Sequence, residues 1–118
     1  MIQIAITPAH SGHGGLYRAI GHAGEGEDRI CTAVTAIEEC LAANLENTWN
    51  VRYRRSAGKG TYELTWNKTD RPGKGLPRAN QAAGFAYNGL KALAAQYPDV
   101  VHVQWNPQFV ERRNRNDD

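Results

Sequence analysis

Long hydrophobic runs are missing from this chain. No stretch approaches the roughly 18 apolar residues that a membrane-spanning helix needs, so no membrane partner is expected. Cysteine is scarce. Cys31 and Cys40 are too few for a disulfide framework, and a reducing cytoplasm is the expected compartment. Net charge is small as well, with 14 basic and 12 acidic residues giving +2. Together with 41% apolar residues, that balance excludes an intrinsically disordered chain. The opening MIQIAITPAH lacks a basic segment, an apolar segment and a small-residue cleavage site, so export is not expected. At 118 residues there is no room for separate cofactor and substrate lobes. One domain over 1–106 is expected, followed by a polar, flexible tail at 107–118.

The charge that is present is unevenly spread. Between Trp49 and Gln81 eight basic residues (Arg52, Arg54, Arg55, Lys59, Lys68, Arg71, Lys74, Arg78) face two acidic ones (Glu63, Asp70). That stretch carries +6, leaving −4 for the rest. An RNA or ribosome surface is one partner such a segment suits. A solvated hairpin whose charges protect a sheet edge from aggregation is the plainer reading.

Ile2, Ile4 and Ile6 alternate with small or polar residues and predict a half-buried strand. Ser11–Gly15 is a turn, and a second strand is expected from Leu16 to His22. Asp28 is placed to cap a helix running to about Asn47, with the apolar stripe Ile30, Val34, Ile37, Leu41 and Leu45. Val51 and Tyr53 lead into a hairpin with its tip at Ser56–Gly60. Its return strand alternates Tyr62, Leu64 and Trp66, the pattern of a core or interface face. A loop at Asn67–Gly75 precedes a second helix, Leu76 to Tyr97, with the stripe Ala79, Ala83, Ala86, Leu90, Leu93 and Tyr97. Val100–Trp105 makes a last strand, with His102 on its solvent side. The reading is one α+β domain of order ββαββαβ, two helices packed on a mainly antiparallel sheet.

Two residues in this frame carry chemistry. Cys31 falls in the first turn of the predicted helix, near free backbone amides and the positive end of the dipole, which favour the attacking thiolate. His22 closes the preceding strand on the face shared with Ile20, the side a following helix covers. There it is placed to take the thiol proton and return it to a leaving amine. Glu25, Glu27 and Asp28 work against a negative sulfur nearby. A cysteine at such a position is also an ordinary small core side chain, so the residues alone leave both readings open.

The motif around this pair resembles a known family. Gly21-His22-Ala23, followed by Gly26-Glu27-Asp28-Arg29-Ile30-Cys31-Thr32-Ala33-Val34-Thr35-Ala36-Ile37, resembles the ribosomal-processing cysteine protease family, Prp. Asn88 to Pro98 and Val101-His102-Val103 look like that family's last helix and strand. The resemblance implies a homodimeric, cofactor-free cysteine endopeptidase acting on a protein or peptide substrate. In the family this is a ribosomal protein precursor, which loses a short N-terminal extension, or a phage capsid or scaffold protein. It assigns His22 and Cys31 the catalytic roles and gives Gly21, Asp28 and Thr35 supporting ones. The segment Ala23, Gly24, Glu25, Gly26 and Glu27 corresponds to the family's gating loop. Thr35 stands where serine is usual, and the His22-to-Cys31 segment is shorter than the family's. The basic aromatic hairpin and the tail ERRNRNDD point to a phage or prophage version.

Two other functions fit parts of the chain. His10, His13, His22 and Cys31 are possible metal ligands, but no second Cys/His pair has finger-like spacing and no metal is expected. Cys40 lies nine residues after Cys31, on the opposite side of a helix, and cannot join it. The hairpin bearing Trp49, Tyr53, Tyr62 and Trp66 is the alternative, a non-catalytic module that stacks bases and grips phosphates.

Overall fold

The isoleucine alternation at the start of the chain does become a strand. The structure, a computed structural model, describes residues 1–10 and 12–105. The limit at 106 and the tail at 107–118 lie outside the described residues. β1 (Ile2–Thr7) buries Ile2, Ile4 and Ile6, and β2 (Gly15–Ile20) buries Tyr17 and Ala19 opposite them. α1 (Asp28–Glu46) follows, then the hairpin of β3 (Val51–Gly58) and β4 (Thr61–Lys68), α2 (Gly75–Gln96) and β5 (Val101–Trp105). The order is ββαββαβ, and the strands form one five-stranded sheet, β3-β4-β2-β1-β5. All neighbours are antiparallel except β1 and β5.

Registry explains the core. Ile4 pairs with Ala19 and Val103, Ile6 with Tyr17 and Trp105, and Tyr17 with Leu64. Because strand side chains alternate, all of these point to one face. Ile30, Val34, Leu41 and Leu45 of α1 and Ala79, Ala83, Ala86 and Leu90 of α2 cover it. Each large aliphatic side chain buried this way contributes about 1.5–3 kcal/mol. The opposite face carries Gln3, Arg18, Glu63 and His102 to solvent, with Arg18 and Glu63 paired at 3.3 Å. Among the described residues no helix is long and apolar enough to cross a membrane.

Trp66 anchors the middle of the sheet. Its indole lies over Gly15, where a Cβ would overlap the ring, so only glycine fits beneath it. Its Nε1 donates to Asn80 Oδ1 at 3.0 Å. Asn80 also receives the Ala9 amide and donates to the Ala9 carbonyl, both at 2.8 Å. One amide side chain thus ties β4, α2 and the β1–β2 connection together. With Leu64 and Trp66 buried, the aromatic face of the hairpin is core rather than a base-stacking platform. Trp49 remains exposed, with Arg71 stacked over its ring at 4.2 Å.

Several local expectations need correction. The hairpin pairs through Ser56, Ala57 and Gly58, so its tip is Lys59–Gly60 instead of Ser56–Gly60. β4 runs to Lys68 and α2 starts at Gly75, shortening the predicted loop at both ends. Tyr97 caps α2 on an exposed site and is not part of its buried stripe. Glu27, not Asp28, occupies the α1 cap position, without a side-chain cap bond; Asp28 is the first helical residue. β2 stops at Ile20, two residues before His22.

Candidate active site

His22 reaches its position through a glycine. Continued alternation would put His22 on the face of Ile20, yet that face points away from the helices and Ile20 is 46% exposed. Gly21 breaks the alternation with φ at +101°, a conformation side-chain-bearing residues rarely adopt. A Cβ at Gly21 would also collide with the Met1 carbonyl oxygen. The Gly21 amide donates to the Gly60 carbonyl at 2.8 Å, tying the end of β2 to the hairpin tip. A Cβ at Gly60 would stand 3.3 Å from His22 Nε2, so the imidazole lies against the tip.

From the other side comes the first turn of α1. The Glu27 carbonyl receives the Ile30 amide at 3.1 Å and the Cys31 amide at 3.2 Å. The Cys31 amide is therefore occupied by the helix and is not a free donor for an oxyanion. Cys31 is half-buried and Cys40 is exposed, both as free thiols.

These pieces enclose a cavity of about 230 Å³ open to solvent. Gly21, His22, Cys31 and Thr35 line it, so four sequence-identified positions converge there. Asp28 and the segment Ala23–Glu27 join His22 to Cys31 without lining the cavity. Within that segment Gly24 and Gly26 take positive φ, and Ala23 is buried in the core. His10 and His13 also lie outside the lining, paired backbone to backbone across the β1–β2 turn. Among the described residues no group of three or more His, Cys, Asp or Glu is placed to hold a metal ion.

The remaining walls were missed in the sequence. Gly58, Gly60, Thr61 and Tyr62 of the hairpin form one side, and Val34 and Glu38 of α1 continue the other. Glu38 is the unexpected member, a carboxyl only 6% exposed. Its spacing from Val34 and Leu41 put it on the buried stripe, a signal available in the sequence. Tyr17 donates its hydroxyl to Glu38 Oε2 at 2.6 Å. Tyr62 stands edge-on to Tyr17, their ring centroids 6.1 Å apart. Among the described residues the buried Tyr62 hydroxyl has no hydrogen-bond partner. Arg55 is close enough to influence that phenol, but its guanidinium is hydrogen-bonded to Glu39 on the rim.

Burial pushes the Glu38 carboxyl up from its ordinary value; the Tyr17 hydrogen bond pulls it partly back, and Glu39 pushes it up again. Burial likewise pushes the Tyr17 and Tyr62 phenols up, so both stay protonated at neutral pH. A consequence for stability follows. As pH rises past the ordinary carboxyl value of 4.5, the unfolded chain releases the Glu38 proton before the folded one does. The folded state then loses stability until its own carboxyl has ionised. Glu38→Gln keeps an acceptor for Tyr17 and buries no charge. Its melting temperature relative to wild type should therefore climb from acid to neutral pH in calorimetry. A gap that narrows over that range would contradict the assigned cause.

No protein-family model matches this chain, and no curated protein does. Solved structures do. A crystal structure of the essential ribosomal processing protease Prp from S. aureus, with a covalently linked product peptide, superposes with a TM-score of 0.71. It is 16% identical, and the match covers 90% of this chain and 100% of that one. The same protease with a substrate peptide gives a TM-score of 0.69 at 14% identity, with the same coverage. A Streptococcus mutans protein gives 0.66 at 22% identity, over 91% of this chain and 95% of its own. In fold, then, this chain is similar to the ribosomal processing protease Prp.

Proposed function

We propose that the protein is a cysteine endopeptidase in which His22 and Cys31 act as the catalytic pair. The observation that carries the reading is their convergence on one open cavity, reached from the end of β2 and from the first turn of α1. His22 takes the thiol proton as the Cys31 sulfur attacks the peptide carbonyl carbon. Collapse of the tetrahedral adduct breaks the C–N bond, and the proton passes from His22 to the leaving amine. Water then cleaves the thioester and frees the carboxylate product. No cofactor enters this cycle. The similarity to a protease crystallised with a substrate peptide and with a covalently linked product supports it.

The substrate is a protein that loses a short N-terminal extension, a ribosomal protein precursor or a phage capsid or scaffold protein. The enzyme works as a homodimer in the cytoplasm, where both thiols stay reduced. Asp28 and Thr35 support the pair, and Ala23–Glu27, with its two glycines of positive φ, gates the cavity. Incubation with candidate precursors, reading N-termini before and after, tests the reading directly. A Cys31→Ala control that still yields new N-termini overturns it.

Thiol labelling gives an independent check. Cys40 is the more exposed of the two cysteines, so accessibility alone makes it react first. Activation by His22 and the helix start predicts the opposite order. Iodoacetamide, small enough to enter the cavity, should modify Cys31 before Cys40 near neutral pH, as read by peptide mass mapping. Faster labelling of Cys40 would argue for a plain structural cysteine.

A further inference from the structure

Past the candidate pair, the cavity has an end whose chemistry remains unassigned. Cys31, Val34, Thr35 and Glu38 follow one another along a single face of α1, and all line the cavity. Seven residues of helix set Glu38 about 10 Å from Cys31 along the axis. Between them the wall is aliphatic, formed by Val34, Ile2 and Ala19. Beyond it stand the Glu38 carboxylate and the Tyr62 hydroxyl.

A buried carboxylate calls for a charge partner or several hydrogen bonds. Glu38 has one bond, from Tyr17, and its 2.6 Å length is in the range of a hydroxyl donating to an ionised carboxylate. Among the described residues no lysine, arginine or histidine pairs with Glu38. The ion pairs there are Arg18 with Glu63 and Arg55 with Glu39. Arg55 and Glu39 cancel on the rim, leaving Glu38 as the net charge of this end. The Tyr62 hydroxyl, buried and unbonded, is a second vacant hydrogen-bonding group.

We infer that Glu38 and Tyr62 form the specificity pocket of the cavity and that it takes a basic side chain, lysine or arginine, of the substrate. The aliphatic stretch suits the methylene stem, and the cationic head reaches the carboxylate and phenol oxygens. An aspartate or glutamate would meet like charge there, and a short side chain would fall short of Glu38. The pocket thus narrows the proposed substrates to chains with a basic residue beside the cleavage point. This inference rests on the peptidase reading for its link to a substrate, while the cation site itself is testable without cleavage.

The first arm of the test is a positional-scanning library of internally quenched peptides, given to wild type, Cys31→Ala, Glu38→Gln and Tyr62→Phe. Folding of each variant is checked by circular dichroism. Wild type should prefer lysine or arginine over leucine at one position by about tenfold or more, as a lost buried charge pair requires. Glu38→Gln should erase that preference, and Tyr62→Phe, which keeps the ring, should weaken it. Cleavage that depends on Cys31 but favours leucine or phenylalanine at every position overturns the pocket and leaves the peptidase standing. So does a basic preference that survives Glu38→Gln. The second arm titrates wild-type protein with n-butylguanidinium, following the Glu38 carboxyl carbon by NMR, assigned from its absence in Glu38→Gln. A saturable shift that neutral n-butylurea does not produce supports the cation site even if no peptide is cut. No such shift overturns it, and an uncut library overturns the peptidase reading separately.

Discussion

Peptide cleavage should vanish in Cys31→Ala and fall by about a hundred- to ten-thousandfold in His22→Ala, the usual contribution of a positioned proton-transfer group. The two variants have different reasons to fail. Cys31 supplies the atom that bonds to the substrate, so its loss removes the covalent route altogether. His22 supplies only proton transfer, and water or buffer can replace it slowly. The structure makes the comparison fair. His22 is exposed and rests on Gly60, and Cys31 is half-buried at the start of a long helix, so neither truncation opens a large core cavity. Both variants should melt close to wild type. Added imidazole should restore part of the His22→Ala rate and none of the Cys31→Ala rate. A His22→Ala enzyme of near-wild-type turnover would remove His22 from the mechanism.

Trp66→Ala should carry the largest stability cost, about 3–5 kcal/mol, as large aromatic deletions in a packed core do. Trp66 is 1% exposed in β4, which lies between β3 and β2 in the sheet. Its removal opens space above Gly15, which has no side chain to fill it, and the Asn80 oxygen loses one donor. Trp66→Phe separates the two effects. It keeps much of the apolar volume and deletes the N–H, while the Ala9 amide still satisfies Asn80 Oδ1. Its cost should stay well below that of alanine, with about 1 kcal/mol due to the hydrogen bond. Urea unfolding midpoints read both. Equal losses in the two variants would place the stability in the hydrogen bond instead of the packing.

Local periodicity accounts for what was legible in the chain. The alternation of Ile2, Ile4 and Ile6 and the spacing of Ile30, Val34, Leu41 and Leu45 needed only a period of two or 3.6 to be read. So did the inward turn of Leu64 and Trp66. The order ββαββαβ and the α+β class followed from those segments. His22, Cys31, Gly21 and Thr35 were identifiable because they sit in one short motif, and the fold brings all four to one cavity. Periodicity failed where a backbone anomaly intervened. Gly21, with φ at +101°, cancels the alternation that was used to place His22. The hairpin wall was hidden for a different reason. Nothing local to Gly60 or Tyr62 reveals that β4 pairs with β2 and that Gly60 bonds to Gly21. Glu38 was visible as an acid on an apolar stripe, and only its Tyr17 partner on another strand explains its presence there.

The Gly21–Gly60 hydrogen bond also bears on when the cavity comes into existence during synthesis. A nascent chain that has emerged only as far as Asn47 already contains His22 and Cys31, with α1 complete. It has no Gly60 for the imidazole to rest on and no Thr61 or Tyr62 to form the far wall. Pairing of β2 with β4 is a contact between distant parts of the chain, the kind that forms late and slowly. Two reactive groups are thus translated early and held apart from a working enclosure until the hairpin has emerged and docked. A ribosome stalled before Thr61 would display a thiol and an imidazole with half a cavity between them. Release of the next few residues would complete it, so assembly of the fold itself sets the moment at which this chain first becomes competent.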